Sequence, residues 1–174
     1  IHDKIIRDSD KNHIGIRSTV QDNTMRKRFE TALLESEDKF RSISESATDA
    51  IVSADENGKF IFWNKAATQI FGFESDEIIG ESVKKIMPLA IRENHDAYLN
   101  IIQSGEKPRV VGKTVELQGC HKNGKEFPIE FSLSMWEVSG HKFFNGIIRD
   151  ITERKVLEQQ LQQSQKMEAI GTMA

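Results

Sequence analysis

The sequence predicts an α+β fold, a five-stranded antiparallel sheet with helices on one face, flanked by N- and C-terminal coiled-coil helices. Three observations predict it. Strand signals come first as a pair, then give way to several short helical segments, then return as three more strands. Within residues 126–137, Phe127, Ile129, Phe131 and Leu133 alternate with Pro128, Glu130, Ser132 and Ser134, so one face of that strand is apolar. The phrase VQDNTMRK at 20–27 returns as IRDITERK at 148–155, a step of 128 residues, each time just before a charged helical stretch. A step of that size is about one domain length, so the phrase marks the close of a module.

Along the chain, residues 1–22 read as two strands around a polar turn, too little to bury a sheet face. From Thr24 to about Ser46 there is neither Pro nor Gly, and Phe29, Leu33, Ser36, Phe40 and Ile43 recur at alternating steps of four and three. That spacing predicts a helix with a narrow apolar seam. Residues 51–55 and 59–64 flank Glu56-Asn57-Gly58, and Asn-Gly is a strong hairpin signal. Asn64 is placed to cap KAATQIF, which Gly72 stops, and Ser75 to cap DEII, which Gly80 ends. Pro88 is placed to start a longer helix running to Ser104. Residues 109–118, 126–137 and 142–151 then read as strands joined at Lys122-Asn123-Gly124 and at Ser139-Gly140. At Thr152 the pattern turns helical again, with Asp150 or Thr152 as the cap. Leu157 and Leu161 keep a four-residue step, but Ser164, Met167 and Ile170 drift to threes. A helix this polar is marginal alone and needs a partner, most simply its copy in a second chain.

Composition narrows the function classes. The chain has 174 residues, enough for one domain with accessory segments, and 24 basic against 27 acidic residues give a net charge of −3. That balance offers no field to gather nucleic acid or an acidic membrane surface. No apolar run approaches the roughly 18 residues a membrane span needs, and no basic-then-apolar leader is seen. The expected compartment is aqueous and cytoplasmic, with any membrane anchor lying elsewhere in a longer parent protein. The single cysteine, Cys120, can make no internal disulfide and suits a reducing environment.

Two stretches carry a family resemblance. KFRSISESATDAIVSADENGKFIFWNKAATQIFGFESDEIIG resembles the N-terminal half of a PAS domain, and CHKNGKEFPIEFSLS with FFNGIIRDITERK resembles its C-terminal half, ending in Asp-x-Thr. The resemblance implies the following organisation. Residues 1–24 would be the C-terminal strands of a preceding PAS domain, although Asn23 stands where the family prefers an apolar residue. Residues 25–46 would be a linker helix, 47–152 a PAS sensor domain, and 153–174 a signalling helix. The ending QQSQKMEAIGTMA resembles the start of the dimerisation and phosphotransfer helix of sensor histidine kinases. What this implies is a sensory module that forms a parallel homodimer and relays to a kinase core and, through it, to a response regulator. The phospho-acceptor histidine of that family lies further on, and no Gly-rich ATP loop is present, so no catalytic residue is expected within these residues.

His95 is the leading candidate for cofactor chemistry. It shares a helical stripe with Ile91, Tyr98, Leu99 and Ile102, so the imidazole faces the same way as large apolar side chains. Such an imidazole can bind haem iron through one nitrogen while a carbonyl holds the other, or it can simply be packed and hydrogen-bonded. RENHDAYL and SGEKPRVVG resemble the segment bearing the proximal histidine in oxygen-sensing haem PAS domains of the FixL type, which implies His95 as the axial ligand of haem iron. Val115 stands where those sensors have a distal arginine, and Ile101 near a propionate-pairing one.

The two periodicities place a ligand cleft between the helix carrying His95, Tyr98, Leu99 and Ile102 and the strands carrying Val110, Ile129, Phe131 and Leu133, and the resemblance implies Val115 as a further contact. Asp150 and Thr152 are the candidate signalling residues. Three readings stay open: a module sensing a small ligand or cofactor of unknown identity, a ligand-free module that transmits dimer geometry, and a haem-based gas or redox sensor. Flavin photochemistry of the LOV type requires a cysteine on the helical side, whereas Cys120 sits beside a strand hairpin. Cys120 and His121 are adjacent and point to opposite faces, which argues against a shared metal. Trp63 reads as a core aromatic.

Overall fold

The computed structural model describes residues 2–7, 9–10, 13–19, 24–92 and 111–171. The chain divides into two units, Ile1–Ser42 and Ile43–Ala174. In the first, β1 (His2–Arg7) and β2 (His13–Thr19) form an antiparallel pair from His2↔Thr19 to Arg7↔His13, with a register shift between Ile6 and Arg7. Helix α1 (Thr24–Ser46) runs 23 residues without a breaker, and its last turn enters the second unit. Phe29, Leu33, Phe40 and Ile43, the expected seam, are all exposed.

The second unit is built on a five-stranded antiparallel sheet, as expected. Its strands are β3 (Ala50–Asp55), β4 (Phe60–Trp63), β5 (Thr114–Cys120), β6 (Glu126–Val138) and β7 (His141–Asp150), in the order β4-β3-β7-β6-β5. Turn chemistry sets the hairpins. Asp55 Oδ1 accepts from the Asn57 and Lys59 N–H groups at 3.0 and 2.8 Å, closing the β3–β4 turn. Ser139 (φ 53°) and Gly140 (φ 82°) are both left-handed, as the tightest hairpin loop between long, twisted strands requires.

Short helices follow β4 and pack on the inner face of the sheet, which lies over one contiguous core. Helix α2 (Lys65–Phe71) is capped by Asn64, whose Oδ1 accepts from Ala67 N–H at 3.0 Å, and ends where Gly72 N–H meets Thr68 O. Helix α3 (Ser75–Ile78) differs from the expectation by one residue at its start. Glu74, rather than Ser75, is the cap, because Glu74 and Glu77 exchange reciprocal bonds with each other's backbone. A 3-10 turn covers Val83–Ile86, and residues 89–92 are helical; the rest of the expected helix to Ser104 lies outside the described residues. Ala67, Phe71, Ile78 and Ile86 from this layer meet Ala50, Val52, Phe127, Ile129 and Ile148 from the strands.

Strand β5 also departs from expectation, running Thr114–Cys120 where residues 109–118 were predicted. Residues 109 and 110 lie outside the described residues. Val111 makes only an isolated parallel bridge to Leu133, and Gly112 turns with its N–H on Leu133 O, so the antiparallel ladder starts after them. Helix α4 (Thr152–Gly171) leaves directly from β7. Among the described residues no helix is long and apolar enough to cross a membrane.

Candidate functional site

Residues paired directly across an antiparallel ladder share a face, so the register defines the inner wall of the sheet. Val115 pairs with Phe131, Leu117 with Ile129, Phe131 with Ile148, and Leu133 with Gly146. The four expected strand-borne site residues in this set therefore lie on one wall: Ile129 is buried, while Val115, Phe131 and Leu133 are half-buried. The other five expected contacts, His95, Tyr98, Leu99, Ile102 and Val110, lie outside the described residues.

The deep end of this wall is aromatic. Phe71 from α2 sits 5.7 Å from the Trp63 ring and 5.6 Å from the Phe127 ring, and is fully buried. Trp63 Nε1 donates to Thr68 Oγ1 at 3.1 Å and to Phe73 O at 3.2 Å, so its polar end is held within the packing. Further along the wall the surface is kept low by Gly146. A Cβ there would stand 2.9 Å from the Phe131 ring and 3.2 Å from Val52 Cγ2. The Phe131 ring thus rests directly on backbone.

Two polar clusters tie the helical layer to the sheet. Asn64 is buried and uses both ends of its amide: Oδ1 accepts from Ile51 and Ala67 N–H groups, and Nδ2 donates to Ser44 O at 2.8 Å and Asp49 O at 3.1 Å. One side chain therefore joins the end of α1, the start of β3 and the start of α2. Lys122, in the β5–β6 hairpin, places its ammonium 2.6 Å from Glu77 of α3. This bond holds the Glu77 carboxyl below its ordinary pKa. The neighbouring His121 ring packs against Gly72, and its Nδ1 accepts from Asn123 N–H at 3.2 Å. Cys120 Sγ points to the His121 carbonyl at 3.6 Å.

At the other end, Asp150 and Thr152 form the junction with α4. Asp150 Oδ1 accepts from Thr152 N–H at 2.8 Å and from Thr152 Oγ1 at 2.5 Å, and Lys155 N–H closes the first turn on Ile151 O at 2.9 Å. Ile151 is buried, so the peptide between strand and helix is seated in the core. Sequence reasoning did not single out the side chains around this junction: Asp49, Glu116, Glu130, Arg149 and Arg154. The available signal was a basic pair, Arg154-Lys155, in a helical first turn where cations are disfavoured.

A family model for the PAS domain matches residues 48–153. The chain belongs to the PAS domain family. This PAS chain is 30% identical over 155 residues to the sensor protein FixL of Bradyrhizobium diazoefficiens, a match covering 85% of the chain and 31% of the relative. It is 27% identical to the oxygen sensor protein DosP of Escherichia coli over 71% of the chain and 15% of that protein. It is 30% identical to sporulation kinase E of Bacillus subtilis over 93% of the chain and 20% of the kinase. The chain thus spans about a third or less of the length of these curated relatives. Among solved structures, the PAS domain of an HTR-like protein from Haloarcula marismortui superposes with a TM-score of 0.57 at 24% identity, over 72% of this chain and 99% of that one, which supports the fold. The chain is a PAS sensory domain similar to sensor kinases and to an oxygen sensor.

Proposed function

We propose that the chain is the sensory module of a two-component sensor histidine kinase, in which a small ligand held against the inner wall of the sheet alters the start of α4 and so the kinase core. The observation that carries this reading is the junction itself. The apolar wall of β6 and β7 continues without an intervening loop into Asp150, Ile151 and Thr152, and the helix begins there. A displacement of the wall therefore has a short covalent path to α4. The similarity to sporulation kinase E and the ending QQSQKMEAIGTMA support a kinase core as the recipient, with a response regulator beyond it.

Self-association belongs to the same proposal. Leu157, Leu161 and Met167 of α4 are exposed, as is the seam of α1, and helices this polar gain their stability from a partner. A parallel homodimer pairs each with its copy. The two strands preceding α1 fit the closing strands of a further PAS domain, since the phrase after them repeats the one after β7.

Asp150→Ala tests the relay. The substitution removes the acceptor for both Thr152 groups while leaving the sheet intact. In the kinase-bearing protein it is expected to uncouple ligand from autophosphorylation, and regulation of wild-type amplitude in the variant removes this route.

A second reading, haem as the ligand, is favoured by the similarity to an oxygen sensor and by the segment around His95. The described wall fits a porphyrin face chemically: Ile129, Phe131, Leu133 and Val115 are apolar, and none carries a charge. His95 would hold the iron, with Tyr98, Leu99, Ile102 and Val110 completing the enclosure. Bound haem would supply a redox-active iron able to take a gaseous ligand. Valine at 115 has no donor to stabilise bound oxygen as arginine does, so a redox role or another diatomic gas is expected. Haem reconstitution of wild type and His95→Ala decides this. A Soret band in the first and its loss in the second are expected; equal intensity in both, or none in either, removes His95 as ligand.

A further inference from the structure

One row of charges crosses the outer face of the sheet at right angles to the strands. Glu116 on β5 pairs directly with Glu130 on β6, and Glu130 pairs directly with Arg149 on β7. Arg149 then grips Asp49, just before β3, through two bonds of 2.9 and 2.7 Å. Two carboxylates directly opposite each other on adjacent strands repel, so the Glu116–Glu130 pair is unfavourable by itself. The first turn of α4 has the complementary fault. Arg154 and Lys155 stand near a helix N-terminus, where the peptide dipoles oppose positive charge.

The structure sets each fault against the other. Arg154 spans the two carboxylates, with Nη2 3.0 Å from Glu116 and Nη1 3.2 Å from Glu130, and Lys155 Nζ lies 2.6 Å from the second Glu116 oxygen. Glu158, one turn on, lies 4.0 Å from Arg154 and 3.8 Å from Lys155. The Lys155 ammonium holds the Glu116 carboxyl below its ordinary pKa, and Glu116 in turn raises that of Lys155. In this placement the first turn offsets both faults at once.

We infer that Glu116 and Glu130 are positioning residues for α4: an acidic pair on the sheet that fixes the direction in which the helix leaves, with Arg154 as its key. The inference rests on the reading of α4 as the output helix only for its consequence in signalling; the positioning itself stands on the geometry. The pair is also joined through Arg149 and Asp49 to Asn64, whose Nδ2 bonds both Asp49 O and Ser44 O. The last turn of α1 and the first turn of α4 are therefore connected by side chains that bypass the inner wall.

The test is hydrogen exchange on the 174-residue chain, reading the amides of residues 153–160. Glu116→Gln with Glu130→Gln, and separately Arg154→Gln, are expected to speed exchange there by about fivefold while the β3 and β7 amides stay as in wild type. High salt should do the same to wild type, since these groups are partly exposed. Wild-type protection of 153–160 in both Gln variants overturns the inference. If the sheet variant loses core protection as well, the helix-side Arg154→Gln decides by itself. Faster exchange with unaltered kinase regulation would keep the positioning and remove the relay reading; unaltered exchange removes the positioning whatever the kinase does.

Discussion

Asn64→Ala is expected to lower the unfolding free energy by about 3–4 kcal/mol, combining a lost helix cap with the loss of hydrogen bonds to three further backbone groups. The side chain is 1% exposed and makes four bonds, so Ile51 N–H, Ala67 N–H, Ser44 O and Asp49 O all lose a partner together. Domains of this size are stable by only some 5–15 kcal/mol, so the loss should be plain in a urea melt. Asn64→Asp separates the two halves of the role. It keeps an acceptor for the two N–H groups but turns oxygen toward Ser44 O and Asp49 O, so the α2 cap should survive while the last turn of α1 loosens. A loss below about 1 kcal/mol for the alanine variant would show that water replaces the amide and that the residue is not a structural hub.

Gly146→Val is expected to destabilise by about 2 kcal/mol and to close the proposed cleft. Replacing a strand glycine by a β-branched residue by itself favours folding, by up to about 1 kcal/mol. Here overpacking outweighs that gain, because the new Cβ would fall 2.9 Å from the Phe131 ring and the added methyls would reach further. Yielding away from the sheet carries the ring into the space where a ligand would lie. Ligand uptake should therefore fall even in the folded fraction, measured as lost Soret intensity or lost binding heat. An unfolding midpoint and ligand uptake equal to wild type would mean that Phe131 has another place to go. Gly146→Ala should show the same effects, weaker.

Local chemistry made much of this fold readable. Asn57-Gly58 and Ser139-Gly140 each force a reversal, Asn64 caps α2, and the alternation from Phe127 to Leu133 turns one side of β6 inward before any partner strand is known. What failed was set by competition between near-equivalent neighbours or by contacts distant in sequence. Glu74 displaced Ser75 as a cap because Glu77 could reciprocate, a choice that needs both side chains in place. Strand β5 began at Thr114 because Val111 and Gly112 meet Leu133 of β6 outside the antiparallel register. The inward set Ile129, Phe131 and Leu133 followed from period two, but the place of Val115 beside Phe131 and the low spot at Gly146 depend on a register only pairing decides. The charge row was illegible for the same reason, since Asp49, Glu116, Glu130, Arg149 and Arg154 are neighbours only after the sheet has closed.

Strands β3 and β7 are neighbours in the sheet, and Ala50 lies opposite Ile148. The polypeptide therefore comes into the domain and departs from it at almost the same spot, one strand spacing apart, about 5 Å. Everything between hangs to the side like a bead threaded through a single hole. A genetic event that doubles, deletes or exchanges the bead leaves the segments before and after it at their original separation, so nothing downstream must be redesigned. Sensor heads of this kind can be traded between outputs with a cut on either side of the same point. IRDITERK stands at that departure point, and VQDNTMRK repeats the phrase 128 residues earlier.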